Sequence, residues 1–197
     1  SVIRIDSTYS VAKKKLNGSI NFSNFMIEKK LFGSTDFDLY DGLADCSINF
    51  STTTKSLDFE NVINNLDSRG FCSVGKIKLS GIDLKKAAKR VDEINDLSAL
   101  LSFLKFKNFQ GNSMLDSIKL NFFTKNAFFQ IKELATKHEN LEISSVGNYQ
   151  MISDKLILNS DAKFKTKKYS NLPPLGIDMN GTLKNYKISY DFEKLKE

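Results

Sequence analysis

Apolar and polar residues alternate along most of the chain, in short runs separated by turn residues. A period of two places successive side chains on opposite faces, which predicts β-strands with one buried face. Asp41-Gly42 between two such runs is a hairpin signal, whereas residues 1–15 are polar and weakly patterned. The pattern predicts about ten strands, most of them about five to ten residues long. The alternating runs lie at 16–22, 31–40, 43–50, 70–80, 118–122, 127–131, 141–151, 156–164 and 175–190.

The period changes from two to about 3.6 within residues 70–94. Residues 70–80 alternate as one strand, and from Leu84 the apolar residues at 84, 87, 88, 91 and 94 form one stripe of a helix. Gly81 frees the backbone at this corner, and the Asp83 side chain, or Ser80 just before it, can cap the first turn. The helical pattern falters at 95–96 and resumes over 97–104. A second short helix, or an irregular crossing, is predicted over 57–66, ending at Asp67–Gly70.

These elements predict a mainly β (α+β) fold. We expect one large curved antiparallel β-sheet, or open β-groove, with one main amphipathic helix packed on it at one end. Residues 1–197 form a single domain in this interpretation: N-terminal strands over 1–69, the strand-helix corner over 70–110, and C-terminal hairpins over 111–190.

The composition is that of a folded domain with a basic surface. Apolar residues make up 41% and charged residues 26%, and no apolar run approaches the roughly 20 residues that cross a bilayer. The net charge of +6 suits anionic partners, including nucleic acid and lipid headgroups, and lysines cluster at 13–15 and 163–168. We favour solvated strand faces as the explanation, because no basic stripe with stacking aromatics is present. No nucleic-acid partner is therefore expected.

The residues that carry chemistry are few. His138 is the single histidine and lies in a polar segment, so we expect a solvated surface residue. Cys46 and Cys72 could pair in an oxidising compartment if their strands are neighbours, but two buried free thiols are the favoured interpretation. No nucleophile elbow, phosphate-binding glycine motif or set of metal ligands is recognisable. We expect no catalytic residue, no metal and no cofactor.

The strands supply more apolar surface than one helix can cover. The remaining apolar face must form a plain core, meet a partner or hold an apolar ligand, and the residues alone leave these three open.

Three motifs resemble the C-terminal region of the AsmA family. Gly81-Ile82-Asp83-Leu84 resembles the family's strand-helix corner, and Gly147-Asn148-Tyr149 with the turn at Asp154-Lys155 resembles its following hairpins. The segment 181–188, Gly-Thr-Leu-Lys-Asn-Tyr-Lys-Ile, is similar to the closing motif, with Tyr186 where the family has proline. The resemblance spans residues 70–190 and extends to 16–50.

This resemblance implies a non-enzymatic domain of a Gram-negative envelope protein that is anchored in the inner membrane and reaches across the periplasm. The implied function is phospholipid transport, or homeostasis of the outer membrane, on the apolar face of a long sheet. We expect any anchor or targeting signal to lie outside this chain, which begins without Met. The alternative is a structural module that docks another envelope protein without bound lipid, and a hydrolase or glycan-binding domain is a third hypothesis. The candidate lipid-contacting residues are Phe22, Phe37, Leu39, Ile48, Phe50, Ile118, Leu120, Phe122, Phe129, Ile131, Leu141 and Ile143, while Gly81 and Asp83 shape the corner.

Overall fold

The computed structural model describes residues 1–28, 38–53, 58–93, 109–165 and 173–191. Over these residues the protein is mainly β, with thirteen strands and two helices. Phe37 and the second helical segment predicted over 97–104 lie outside the described residues.

Ten strands form one antiparallel sheet that is not closed into a barrel. Their order is β1-β2-β4-β5-β8-β9-β10-β11-β12-β13, so that β1 and β13 are its two edges. Short turns join five pairs of strands that are neighbours both in the chain and in this sheet, namely β1-β2, β8-β9, β9-β10, β10-β11 and β12-β13. The strands are β1 Val2–Ser10, β2 Lys15–Ile27, β4 Gly42–Thr53, β5 Leu66–Val74, β8 Ser117–Lys125, β9 Phe128–His138, β10 Leu141–Gln150, β11 Lys155–Phe164, β12 Leu175–Gly181 and β13 Tyr186–Asp191.

A small sheet and a helix cover one end of the large sheet. The small sheet has the order β3-β6-β7, from β3 Asp38–Tyr40, β6 Ile77–Ser80 and β7 Asn112–Leu115. Helix α2, Leu84–Asp92, buries Leu84, Ala87, Ala88 and Val91, the stripe that the 3.6-residue period predicts. We call β3, β6, β7, α2 and the loop residue Phe109 the cap.

The corner before α2 is built as the sequence predicts. Gly81 has a φ of 99°, a left-handed conformation that side chains rarely adopt. The Asp83 carboxylate accepts a hydrogen bond from the Lys86 amide at 2.9 Å and so caps the helix. The Ser113 hydroxyl of β7 accepts from the Leu84 amide and donates to the Ile82 carbonyl, which ties the helix start to the small sheet.

The predicted strand over 70–80 is wrong as a single element. It divides at Gly75-Lys76 into β5, which belongs to the large sheet, and β6, which belongs to the small one. Within β5, Cys72 and Val74 share the face of Leu120 and Ile118, whereas Phe71 and Ser73 lie on the opposite face. The alternation runs on across the break, so the change of sheet is not visible in the pattern.

Three other boundaries differ from the prediction. Asp41 turns the chain with a φ of 55°, but β3 and β4 do not form a hairpin, since β3 pairs with β6 and β4 with β2 and β5. Residues 2–10 form the edge strand β1, although their pattern is weak. Helix α1, Phe59–Asn64, is the short helix predicted here, but β5 begins directly after it at Leu66, so that 67–70 are strand residues.

Candidate functional site

One face of the large sheet is apolar across all ten strands. Residues directly opposite each other on neighbouring strands share a face, so the pairing register defines rows across the sheet. One central row contains eight apolar side chains and two glycines. It runs through Ile5, Ile20, Ile48, Gly70, Phe122, Ile131, Gly147, Leu158, Met179 and Ile188. We call this surface the apolar face.

The opposite surface, the polar face, has the reverse composition. Its neighbouring row holds eight polar or charged residues, with only Phe123 and Ile157 apolar. The row runs through Asp6, Ser19, Asn49, Arg69, Phe123, Gln130, Asn148, Ile157, Asn180 and Lys187. A sheet of this kind is solvated on one side and needs cover for the other.

The cap covers only one end of the apolar face. The buried core cluster joins cap residues such as Ile77 and Leu115 to sheet residues such as Leu141 and Ala162. Farther from the cap, the residues of the central row on β2 to β13 are only half-buried, and Ile5 on the edge strand is exposed. The apolar face therefore continues beyond the cap as partly solvent-exposed surface.

A cavity of about 250 Å³ lies between the cap and the apolar face. Twelve of its fifteen lining residues are apolar, and the other three are Thr136, His138 and Tyr190. An engineered apolar cavity of about 150 Å³ is known to hold benzene, so this volume suits a hydrocarbon segment. The apolar lining is Leu79, Ile82, Leu84, Ala87, Phe109, Leu115, Leu141, Ile143, Ala162, Phe164, Leu175 and Ile177.

The candidate residues on the large sheet all lie on the apolar face. Two of them, Leu141 and Ile143, line the cavity, and Ile118 packs against the core cluster. Leu39 is different: it lies on β3 of the cap and packs against the core cluster from that side. The remaining seven lie beyond the cap and are half-buried, namely Phe22, Ile48, Phe50, Leu120, Phe122, Phe129 and Ile131.

The apolar face also includes residues that the candidate set missed. Ile20, Leu158, Met179 and Ile188 belong to its central row, and Ile177 and Tyr190 line the cavity. The period of two could have found Ile20 in the run at 16–22, and Leu158, Ile177, Met179 and Ile188 in the C-terminal runs.

The polar groups on this face have partners or are neutral. The buried Ser145 hydroxyl donates to the Ser160 hydroxyl on the neighbouring strand at 2.8 Å. Burial raises the pKa of Tyr190 in the cavity wall. On the half-open part of the face, burial and then a hydrogen bond to Asp154 raise the pKa of Tyr149. Both phenols are therefore uncharged at neutral pH, as a surface for hydrocarbon requires.

His138 is not the solvated residue that the sequence predicts. It is the last residue of β9, is 7% exposed and lines the cavity. Its Nδ1 accepts a hydrogen bond from the Asn140 amide at 3.1 Å. The strand extends through Leu134, Thr136 and His138, so the period of two carries the side chain onto the apolar face.

Cys46 and Cys72 form a disulfide, and the expectation of two free thiols is wrong. They are directly opposite each other on β4 and β5, with Cα atoms 4.1 Å apart. Both are half-buried on the apolar face, in the row that also contains Phe22 and Leu120. Disulfides persist chiefly in oxidising compartments.

Within the described ranges, no group of three or more His, Cys, Asp or Glu side chains could hold a metal ion. The same part of the chain has no helix long and apolar enough to cross a membrane.

Fold and site thus define a class: a single open antiparallel sheet with one polar face, one apolar face and a cap at one end. No family model, curated protein or solved structure matches the chain.

Proposed function

We propose that the apolar face binds the acyl chains of phospholipids and that the protein takes part, without catalysis, in lipid transport or outer-membrane homeostasis. The observation that carries this proposal is the contrast between the two rows across the sheet. The central row across all ten strands is apolar apart from two glycines, and beyond the cap most of its residues are only half-buried. Exposed apolar area of this extent is costly in water and marks a binding surface.

The cavity under the cap supports the same class of ligand. Among the described residues, its wall contains no Asp, Glu, Lys or Arg side chain, and burial keeps its phenol at Tyr190 neutral. A ligand that fills it gains chiefly from burying its own apolar area, at about 25 cal/mol per Å². An acyl chain meets this requirement, and a sugar or a nucleotide does not.

The disulfide supports a location outside the cytosol. Together with the resemblance to AsmA-like proteins at the Gly81–Leu84 corner and at 181–188, it favours the periplasm, in an envelope protein whose membrane anchor lies outside this chain.

A second candidate is a structural module that docks another envelope protein. It is favoured by β1, which among the described strands has a neighbour on one side only and carries Ile3 and Ile5 at 53% and 62% exposure. An extended segment of a partner could pair with this edge. Hydrogen exchange of the β1 amides separates the candidates, since a bound strand protects the outward-facing amides of β1, whereas lipid on the apolar face leaves them unprotected.

Lipid extraction followed by mass spectrometry tests the first candidate. The purified chain is expected to carry phospholipid, and the pair Leu158→Asn and Met179→Asn is expected to remove most of it. Both residues are half-buried neighbours on β11 and β12, in the part of the apolar face beyond the cap.

The matched control changes two apolar residues of the polar face. Phe71 and Val146 are 42% and 51% exposed there, and Phe71→Asn with Val146→Asn is expected to leave the lipid content unchanged. A folded parent protein that carries no phospholipid after expression in a lipid-replete cell, and takes up none from vesicles, would refute the proposal.

A further inference from the structure

The end of the large sheet opposite the cap is formed by five chain connections. They join β1 to β2, β4 to β5, β8 to β9, β10 to β11 and β12 to β13, and the pairing register brings them to the same end. We call their described residues, together with Phe128 at the start of β9, the rim: 11–14, 58–65, 126–128, 151–154 and 182–185. At about 4.8 Å between strands, ten strands make this rim roughly 45 Å long.

Each of the five connections has one large exposed apolar side chain, on the connection itself or, for Phe128, directly after it. The exposed fractions run from 48% for Phe128, directly after its turn, to 78% for Val11. Isolated exposed apolar residues are common on proteins, but one on every connection at a single end is a pattern that needs a cause. The five residues are Val11, Phe59, Phe128, Ile152 and Leu183.

Lysines stand beside four of these apolar residues. These lysines are exposed, and each lies on a turn or at an adjoining strand end. They are Lys13, Lys14, Lys125, Lys155 and Lys184. Acidic groups are fewer on the rim: Asp58 and Glu60 flank Phe59 on α1, and Asp154 lies in the β10–β11 turn. The Asp154 carboxylate accepts a hydrogen bond from the Leu183 amide at 3.4 Å. This hydrogen bond connects the β10–β11 turn to the β12–β13 turn.

We propose that the rim docks on the surface of an anionic phospholipid bilayer, with the five apolar side chains in the headgroup region. Ammonium groups beside inserted apolar residues match a bilayer surface, because a lysine stem can lie along the apolar layer while its charge remains among the phosphates. Anchors spread singly along a rim of this length suit a flat, fluid surface, whereas a protein partner is met by a contiguous patch. The rim is also where the apolar face opens away from the cap, so docking brings that face to the membrane.

The inference does not require the apolar face to hold lipid, and the test keeps the two proposals apart. The full chain is sedimented with vesicles of phosphatidylcholine alone and with vesicles that also contain phosphatidylglycerol. We expect binding to the anionic vesicles, weakened by salt because the attraction between exposed charges is screened.

Two sets of rim variants are compared with the parent protein. Val11→Ser, Ile152→Ser and Leu183→Ser together are expected to weaken binding by roughly tenfold or more, through lost apolar insertion. Lys13→Gln, Lys14→Gln and Lys184→Gln together are expected to do the same on anionic vesicles only. All six residues are exposed, so circular dichroism is expected to be unchanged, and the lysine set provides the test if the apolar set fails to fold.

A matched control replaces exposed apolar residues away from the rim. Leu43→Ser, Met114→Ser and Val146→Ser, with exposed fractions of 44%, 45% and 51%, are expected to bind vesicles as the parent does. Equal losses in the control and rim sets, or binding that ignores phosphatidylglycerol, would overturn the proposal. So would binding to soluble polyglutamate without binding to vesicles, which would indicate an acidic protein partner. The Leu158→Asn and Met179→Asn variant is expected to dock normally, and the rim variants to keep their extracted phospholipid.

Discussion

The ring of Phe122 on β8 lies over Gly70 on β5, its direct partner across the two strands. A side chain at position 70 would occupy the space of the Phe122 ring and would also come within 3.1 Å of Ile48. Phe122 in turn stacks on Phe129, with ring centroids 4.6 Å apart. Because Gly70 has no side chain, it leaves room for the stacked rings of Phe122 and Phe129 at the centre of the apolar face.

Gly70→Ala is expected to destabilise the protein by about 1–3 kcal/mol, because the added methyl group forces the Phe122 ring from its position. The free energy of unfolding, measured by chemical denaturation, tests this.

Gly75→Ala is the matched control, since a methyl group there meets no atom within 4 Å. It is expected to be neutral, or to stabilise slightly by restricting the unfolded chain. If the ring is the cause, Gly70→Ala in a Phe122→Leu background costs less than in the parent. An equal cost of the two glycine substitutions would contradict the steric argument.

The alternation of residues predicts which side chains share a face, but not which strands are neighbours. Ten of the twelve candidate residues lie together on the apolar face because a period of two fixes the face whatever the partner strand is. In β9 the apolar positions change from odd numbers, through Ile131, to even numbers from Leu134, and the register shifts there against β8. A prediction that followed this shift would have placed His138 on the apolar face.

Contacts between distant segments account for what the sequence does not predict. β5 and β6 continue one alternation across Gly75, yet β5 pairs with β8 and β6 with β7, and both of these strands follow α2 in the chain. The edge strand β1 has mostly exposed residues, so no buried stripe marks it. The cavity joins residues from β6 to β13, and only Leu141 and Ile143 among its lining were candidates.

Loss of the Cys46–Cys72 disulfide is expected to lower the free energy of unfolding by about 3 kcal/mol, because the bond closes a loop with a sequence separation of 26 residues in the unfolded chain. Denaturation with and without a reductant measures the change. A thiol assay in denaturant is expected to find no free thiol in the oxidised protein.

The double substitution Cys46→Ala and Cys72→Ala provides the control for the reductant. It is expected to match the reduced parent in stability and to show no response to reducing agent. A free thiol in the unreduced, denatured parent would show that the pair is not formed.

Asp83→Ala is expected to cost about 1 kcal/mol, because the Lys86 amide loses the carboxylate that caps α2. The loss of stability is expected to be local to the first turn of α2. The Ala87 amide, which donates to the Asp83 carbonyl, is therefore expected to exchange faster with solvent deuterium. Hydrogen exchange followed by NMR measures this. Asp83→Asn keeps an oxygen acceptor at the same place and is expected to retain most of the protection, so equal effects of the two substitutions would argue against a capping role.

Stability is expected to fall with rising pH above about 10, partly through Tyr190. Burial raises the pKa of this phenol in the folded protein, so between its ordinary and its raised pKa the folded state holds a proton that the unfolded state has lost. The free energy of unfolding therefore decreases as pH increases through this window, and below the window the stabilising contribution of Tyr190 is fully present.

Denaturation at a series of alkaline pH values measures the slope of the free energy of unfolding against pH. Tyr190→Phe, which keeps the ring in the cavity wall, is expected to make this slope shallower. An unchanged slope in the Tyr190 variant would mean that the phenol ionises in the folded protein as readily as in water, and the cavity wall would then be wet.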